Sequence, residues 1–140
     1  MPTPIENPAP FVPSRAVAFA APDASSQLVS TATPLPVTAM EPAPPALTGT
    51  ASSSIQIGPY QPALGRPVVL SLSGVWSGSA RVVRSTDNGA TRIPLTIGGA
   101  AWAEYSSNCC EPVWEEFEQG AALYLDLTIT GGTLNYRISQ

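Results

Sequence analysis

Apolar and polar residues alternate in twos along much of the second part of this chain. Val68, Leu70 and Leu72 alternate with Val69, Ser71 and Ser73, the period of a strand with one covered face. The longest such run is residues 121–130. There Leu123, Leu125, Leu127 and Ile129 fall on one side, and Tyr124, Asp126, Thr128 and Thr130 on the other. Gly131-Gly132 is expected to turn the chain into residues 133–139, where Leu134, Tyr136 and Ile138 share a face. Upstream, residues 79–85 and 91–97 flank Asp87-Asn88-Gly89. Asn-Gly between β-rich runs predicts a hairpin, because both residues tolerate positive φ. Shorter strands are expected around residues 51–57, 101–105 and 113–117. Helical periodicity is missing throughout. Seven or eight short strands at this spacing predict an all-β fold, a single antiparallel β-sandwich or jelly roll over residues 46–140.

The pattern changes near residue 46. Eleven of the sixteen prolines precede it, from Pro2 to Pro45. Each fixes φ, removes a backbone donor and pushes the preceding residue toward extended conformations. Residues 1–45 therefore read as a long extended Pro-rich N-terminal arm with polyproline-like stretches. Unlike a solvated linker, this arm carries Ile5, Phe11, Val12, Val17, Phe19, Leu28, Val29, Leu35, Val37 and Met40 against only four charges. Residues 16–20 suit a short edge strand. Fully extended, the arm would span about 150 Å, long enough to lie along grooves of neighbouring subunits.

Composition narrows the function. Only 11% of residues are charged, against about 25% in an ordinary soluble domain, which suits a surface covered by neighbours. No histidine is present, which removes the commonest general base and metal ligand. A net charge of −4 lacks the basic stripe that nucleic acid requires, and no apolar run is long enough for a membrane span. The only cysteines, Cys109 and Cys110, are adjacent, which fits neither a disulfide framework nor a zinc site. No secretory signal is visible. Synthesis in a cytoplasm is expected.

Three features suggest chemistry. Ser85-Thr86-Asp87-Asn88-Gly89-Ala90-Thr91 matches much of the Asp-box pattern of sialidase-type propellers, with Arg92 where an aromatic would stand. It occurs once, so hairpin chemistry explains it. Glu111, Glu115, Glu116 and Glu118, with Glu104 nearby, form the one dense acidic group. Such residues serve glycoside hydrolysis or calcium binding in other settings. Here a solvated or arginine-facing edge is expected, able to meet a basic patch on a partner. Trp76, Trp102 and Trp114, with Tyr60 and Tyr105, suit core or interface packing, or a sugar-binding platform. No catalytic, cofactor-binding or metal-ligating residue is assigned, and no cofactor is expected.

The blocks Leu72-Ser73-Gly74-Val75-Trp76-Ser77-Gly78, Val83-Arg84-Ser85-Thr86-Asp87-Asn88-Gly89-Ala90-Thr91 and Gly132-Thr133-Leu134-Asn135-Tyr136-Arg137-Ile138-Ser139-Gln140 resemble small β-sandwich accessory structural proteins of tailed bacteriophage virions. The resemblance covers about residues 64–140. It implies a non-enzymatic virion protein, first of all a capsid decoration (cement) protein that stabilises the head across capsid subunits. The implied partners are the major capsid protein or other virion subunits, with homo-oligomerisation, no nucleic acid and no membrane. The alternative is a tail-fibre or head-tail accessory module that binds a receptor or glycan.

Overall fold

The structure, a computed structural model, describes residues 18–20, 26–35 and 41–140. The chain divides into two units, Met1–Met40 and Glu41–Gln140. In the first, β1 (Ala18–Ala20) pairs antiparallel with β2 (Ser26–Leu28), and β1 lies within the stretch expected to form a short strand. Residues Ser30 and Thr33 then close a turn through reciprocal backbone hydrogen bonds of 2.9 and 3.1 Å. The rest of the expected arm before residue 41 (residues 1–17, 21–25 and 36–40) lies outside the described residues. The second unit begins at Glu41. Pro44 and Pro45 share a groove with Tyr60 and Gln61, so the last prolines belong with the strands that follow.

That unit holds nine strands: β3 (Leu47–Ala51), β4 (Ile55–Tyr60), β5 (Pro67–Ser85), β6 (Ile93–Pro94), β7 (Thr96–Ile97), β8 (Ala100–Ala101), β9 (Glu104–Tyr105), β10 (Cys109–Glu115) and β11 (Ala122–Ser139). No helix occurs among the described residues. Seven of the strands form one antiparallel sheet. Its spine is β5 paired with β11 over nearly their whole lengths, from Ala122 opposite Ser85 to Ser139 opposite Val69. Along one half of this ribbon β10 flanks β5 and β3 flanks β11. Along the other half β6 and β9 flank β5, and β4 flanks β11. The small β7–β8 hairpin stands apart from that sheet.

A strand of 19 residues held straight would be about 60 Å long. Yet Pro67, at the start of β5, pairs with Glu115, while Arg84, near its end, bonds Glu116. The same holds for β11. Leu123 pairs with Tyr60, and the Gln140 side chain just past the strand bonds Ala63 and Arg66. The ribbon therefore doubles back on itself, and Val68, Leu70 and Leu72 join Ala80, Val82, Leu123, Leu125, Leu127, Leu134 and Ile138 in one buried cluster.

This doubling overturns the expected turn at Gly131-Gly132. The glycines lie inside β11, just past a register shift between Ile129 and Gly131. One extra residue enters β11 there, and the inward set passes from odd positions (Leu123 to Ile129) to even ones (Leu134, Tyr136, Ile138). Gly132 takes φ 77°, and a Cβ there would stand 2.1 Å from the Val75 carbonyl oxygen. Only glycine permits that approach.

Three shorter expectations also change. Residues 51–57 are two strands, since β3 pairs with the second half of β11 and β4 with the first. Between them Ser54 Oγ accepts from the Ile129 amide at 3.1 Å, beside the bulge. Residues 101–105 break at Ala103, whose φ is 56° and whose carbonyl accepts from Val82 N. The strand placed at 113–117 starts earlier and stops at Glu115, because Glu116 turns inward.

Candidate functional site

The expected Asn-Gly turn forms, with φ of 56° at Asn88 and 87° at Gly89. Its return strand is short, with Arg84 opposite Ile93 and Val83 opposite Pro94, so residues 86–92 form a loop rather than a two-residue turn. Ser85 is buried and organises that loop. Its hydroxyl donates to Asp87 Oδ1 at 2.7 Å and accepts from the Gly89 amide at 2.8 Å. Asp87 Oδ1 also accepts from the Thr91 amide at 2.8 Å. Hydrogen bonds from Thr91 and Ser85 hold the Asp87 carboxyl down at about 2. The Asp-box residues thus serve the loop itself, as hairpin chemistry predicted. Beyond it the Arg92 guanidinium lies over the Tyr124 ring, 5.9 Å from its centroid. Tyr124 is buried with Val83 and Ala122 in a second small cluster, so this end of β11 is covered on the face expected to be polar as well.

Next to the loop stands an ion-pair cluster that the sequence placed only in outline. Glu116 is 2% exposed. Its carboxylate accepts from Arg84 Nε at 2.7 Å and Nη2 at 2.8 Å, from Trp114 Nε1 at 3.0 Å, and from the amides of Phe117 and Glu118 at 3.1 and 2.9 Å. Arg84 Nη2 also reaches Glu118 Oε2 at 2.6 Å. Burial by itself would raise the Glu116 pKa. The hydrogen bonds from Arg84, Glu118 N and Trp114 outweigh it and leave the group at about 2. Arg84 is correspondingly raised, first by Glu116 and then by Glu118. At neutral pH Glu116 has no proton to donate and its oxygens are engaged. Of the acidic group, then, Glu116 and Glu118 face an arginine of their own chain rather than one on a partner. Glu115 is exposed on β10, and Glu111 lies by Tyr105, where burial and then Glu111 raise the phenol.

The aromatic residues do not assemble into one platform. Tyr60 is buried in the core. Trp76 Nε1 donates to Asn108 Oδ1 at 2.9 Å, and Trp102 Nε1 donates to the Val113 carbonyl at 2.7 Å. Trp114 lines a groove of about 420 Å³, together with Arg84, Thr86, Asp87, Ile93 and Thr96 among others. The sequence singled out Trp114 and Asp87 separately. Ile93 and Thr96 belonged to no motif, and pairing of β5 with β6 is what brings this stretch beside Arg84.

Cys109 and Cys110 are free thiols on neighbouring strand positions, which face opposite ways. Burial, then Glu111, raises the Cys109 thiol, while exposed Cys110 accepts from Ser71 Oγ at 3.2 Å. Arg81 makes looser surface pairs with Glu104 at 3.6 Å and Asp126 at 3.8 Å. Among the described residues no group of three or more His, Cys, Asp or Glu side chains is arranged to hold a metal ion. No helix long and apolar enough to cross a membrane occurs among them. No family model, curated protein or solved structure matches the chain.

Proposed function

We propose that this chain is a non-enzymatic structural protein of a tailed-phage virion. In this reading it is a capsid decoration protein whose doubled sheet is a β-sandwich docked on the shell. The observation that carries it is the presence of large apolar side chains on the surface of a charge-poor unit, mounted on clamped backbone. Phe117 is 75% exposed and Val75 89%. The Phe117 amide is tied to Glu116, and the Gly74 carbonyl before Val75 accepts from Asn108 Nδ2 at 3.0 Å. Groups held in this way lose little conformational entropy on docking. The engaged, ionised state of Glu116 supports a structural rather than catalytic use of the acidic group.

The mechanism is mass action. A protein that binds the assembled shell and not its free subunits stabilises the shell by the binding free energy. Copies that oligomerise, or that use both sandwich and Pro-rich arm, add avidity. The partner is the major capsid protein or another virion subunit, and the site of action is the virion, assembled in the host cytoplasm.

Co-sedimentation with particles stripped of this protein tests the proposal. The full chain is expected to pellet with the particles. Phe117→Asp is expected to weaken binding about tenfold, the loss of one well-packed aromatic anchor, and removal of residues 1–40 to weaken it further. A full chain that stays in the supernatant at every concentration would sink the proposal, and undiminished binding without residues 1–40 would remove the arm from it.

A further inference from the structure

We infer that the groove beside the Asp87 loop is a binding site for a ring of a neutral saccharide, a function separate from attachment to a particle. The groove has about 420 Å³, within the ordinary range for small-ligand sites. Its walls combine two kinds of surface. Trp114 and Ile93 supply apolar area, and Arg84, Thr86, Asp87 and Thr96 supply polar groups. A saccharide ring has the matching pair of surfaces: an apolar C–H face and a rim of hydroxyls that both donate and accept.

The polar groups divide into donors and acceptors in a way that suits hydroxyls. Asp87 is a fully ionised acceptor, since its Oδ1 is anchored by Ser85 and the Thr91 amide. Arg84 bonds Glu116 and Glu118 through Nε and Nη2, and Nη1 takes no part in those bonds. The hydroxyls of Thr86 and Thr96 lie outside the Ser85–Asp87–Thr91 network and can both donate and accept. Trp114 is fixed by its N–H bond to Glu116 and packs partly on the core. Asp87, Arg84 and Trp114 are therefore held before any ligand arrives, which lowers the cost of binding.

Charge narrows the class further. Arg84 and Asp87 are the charged groups of the lining, and the Arg84 charge is already matched by Glu116 and Glu118, which leaves Asp87 as the uncompensated charge there. A phosphate, sulfate or acidic sugar would meet repulsion. A cationic side chain would find Asp87 but would face the donors of Arg84. A neutral polyol uses both sets. The apolar area together with about a dozen ligand heavy atoms supports an affinity on the order of 1 mM.

The test uses the full-length ¹⁵N-labelled chain and its three indole N–H signals, from Trp76, Trp102 and Trp114. Maltotriose, cellotriose, mannotriose, triacetylchitotriose and galactose serve as neutral probes, with N-acetylneuraminic acid and inorganic phosphate as anionic ones. At least one neutral probe is expected to move the Trp114 signal saturably while Trp76 and Trp102 stay in place. Thr96→Arg, an exposed position on the groove wall, is expected to weaken that response at least tenfold with an unchanged melting curve. Thr86→Arg provides the same block should the first variant melt early. The inference is overturned by a Trp114 signal that no neutral probe moves, by equal shifts of all three indoles, by a response that survives both arginine variants, or by a stronger response to the anionic probes. None of these outcomes bears on co-sedimentation, so the two proposals stand or fall separately.

Discussion

Glu116 shows how one residue can be misjudged from its neighbours in the chain. It sits among Glu111, Glu115 and Glu118, yet it is the only buried one, and it is held by five hydrogen bonds. Replacing it with glutamine keeps the shape and removes the charge that Arg84 requires. Breaking a buried pair from one side costs about 3–5 kcal/mol, and the remaining Glu118 contact places Glu116→Gln nearer about 3. Urea denaturation followed by tryptophan fluorescence measures this, and a loss under about 0.5 kcal/mol would class the pair as a surface bridge. The same residue shapes the pH response. Glu116 and Asp87 each have folded values of about 2, against ordinary values of 4.5 and 3.8. A depressed carboxylate stabilises the fold fully above its unfolded pKa, and that stabilisation is lost as pH falls toward the folded value. Melting temperature is therefore expected to hold between about pH 7 and 5 and to fall between about pH 4.5 and 2. In Glu116→Gln this fall should be shallower.

At the scale of elements, the ribbon of β5 and β11 carries the fold, and its bend depends on backbone that other residues cannot copy. Gly78 has φ 134°, and a Cβ there would stand 1.9 Å from the Thr128 carbonyl oxygen across the ribbon. Both the conformation and the contact exclude a side chain. Gly78→Ala is expected to cost about 3 kcal/mol or more. Gly98→Ala, in the β7–β8 turn, meets nothing within 4 Å and should cost only about 1–2 kcal/mol, the strain of positive φ alone. Equal effects in thermal melts would show that the bend tolerates adjustment. The alternation along these strands was legible beforehand. Leu123 to Ile129 and Leu134 to Ile138 were each placed on one face, and each is inside or packed against the core. The change from odd to even positions was also visible, but a turn and a bulge explain it equally well until the partner strand is known. Because β5 continues past Gly74 and Gly78 opposite β11, a bulge is what forms.

Across the whole Glu41–Gln140 unit, both halves of the ribbon contribute to one buried cluster. Neither half keeps a core if the other opens. Unfolding of this unit is therefore expected to be a single cooperative transition. Far-ultraviolet dichroism and tryptophan fluorescence should give coincident urea curves, with Trp76 reporting the bend and Trp114 the cluster near Arg84. Two separated transitions would mean that the halves are independent. The Gln140 side chain supports the single transition, since it bonds Ala63 N at 2.7 Å, Ala63 O at 2.9 Å and Arg66 O at 2.9 Å. Gln140 thus closes onto a loop 74–77 residues away in sequence.

Features set by neighbours along the chain were legible before any fold was known. They are the period of two in residues 68–72, 121–130 and 133–139, the strands rather than helices that it implies, the positive-φ turn at Asn88-Gly89 and the hydrogen bonds of Asp87 to that loop. Each follows from local sterics or from side chains within four residues of one another. That residues 67–85 are one strand, that the ribbon doubles back, that Glu116 is buried against Arg84 and that Trp114 meets Asp87 and Thr96 in one groove all follow from contacts between residues far apart in the chain. Arg84 and Glu116 are 32 residues apart. Their meeting depends on where the whole ribbon bends, and the two or three residues on either side of each carry no record of that.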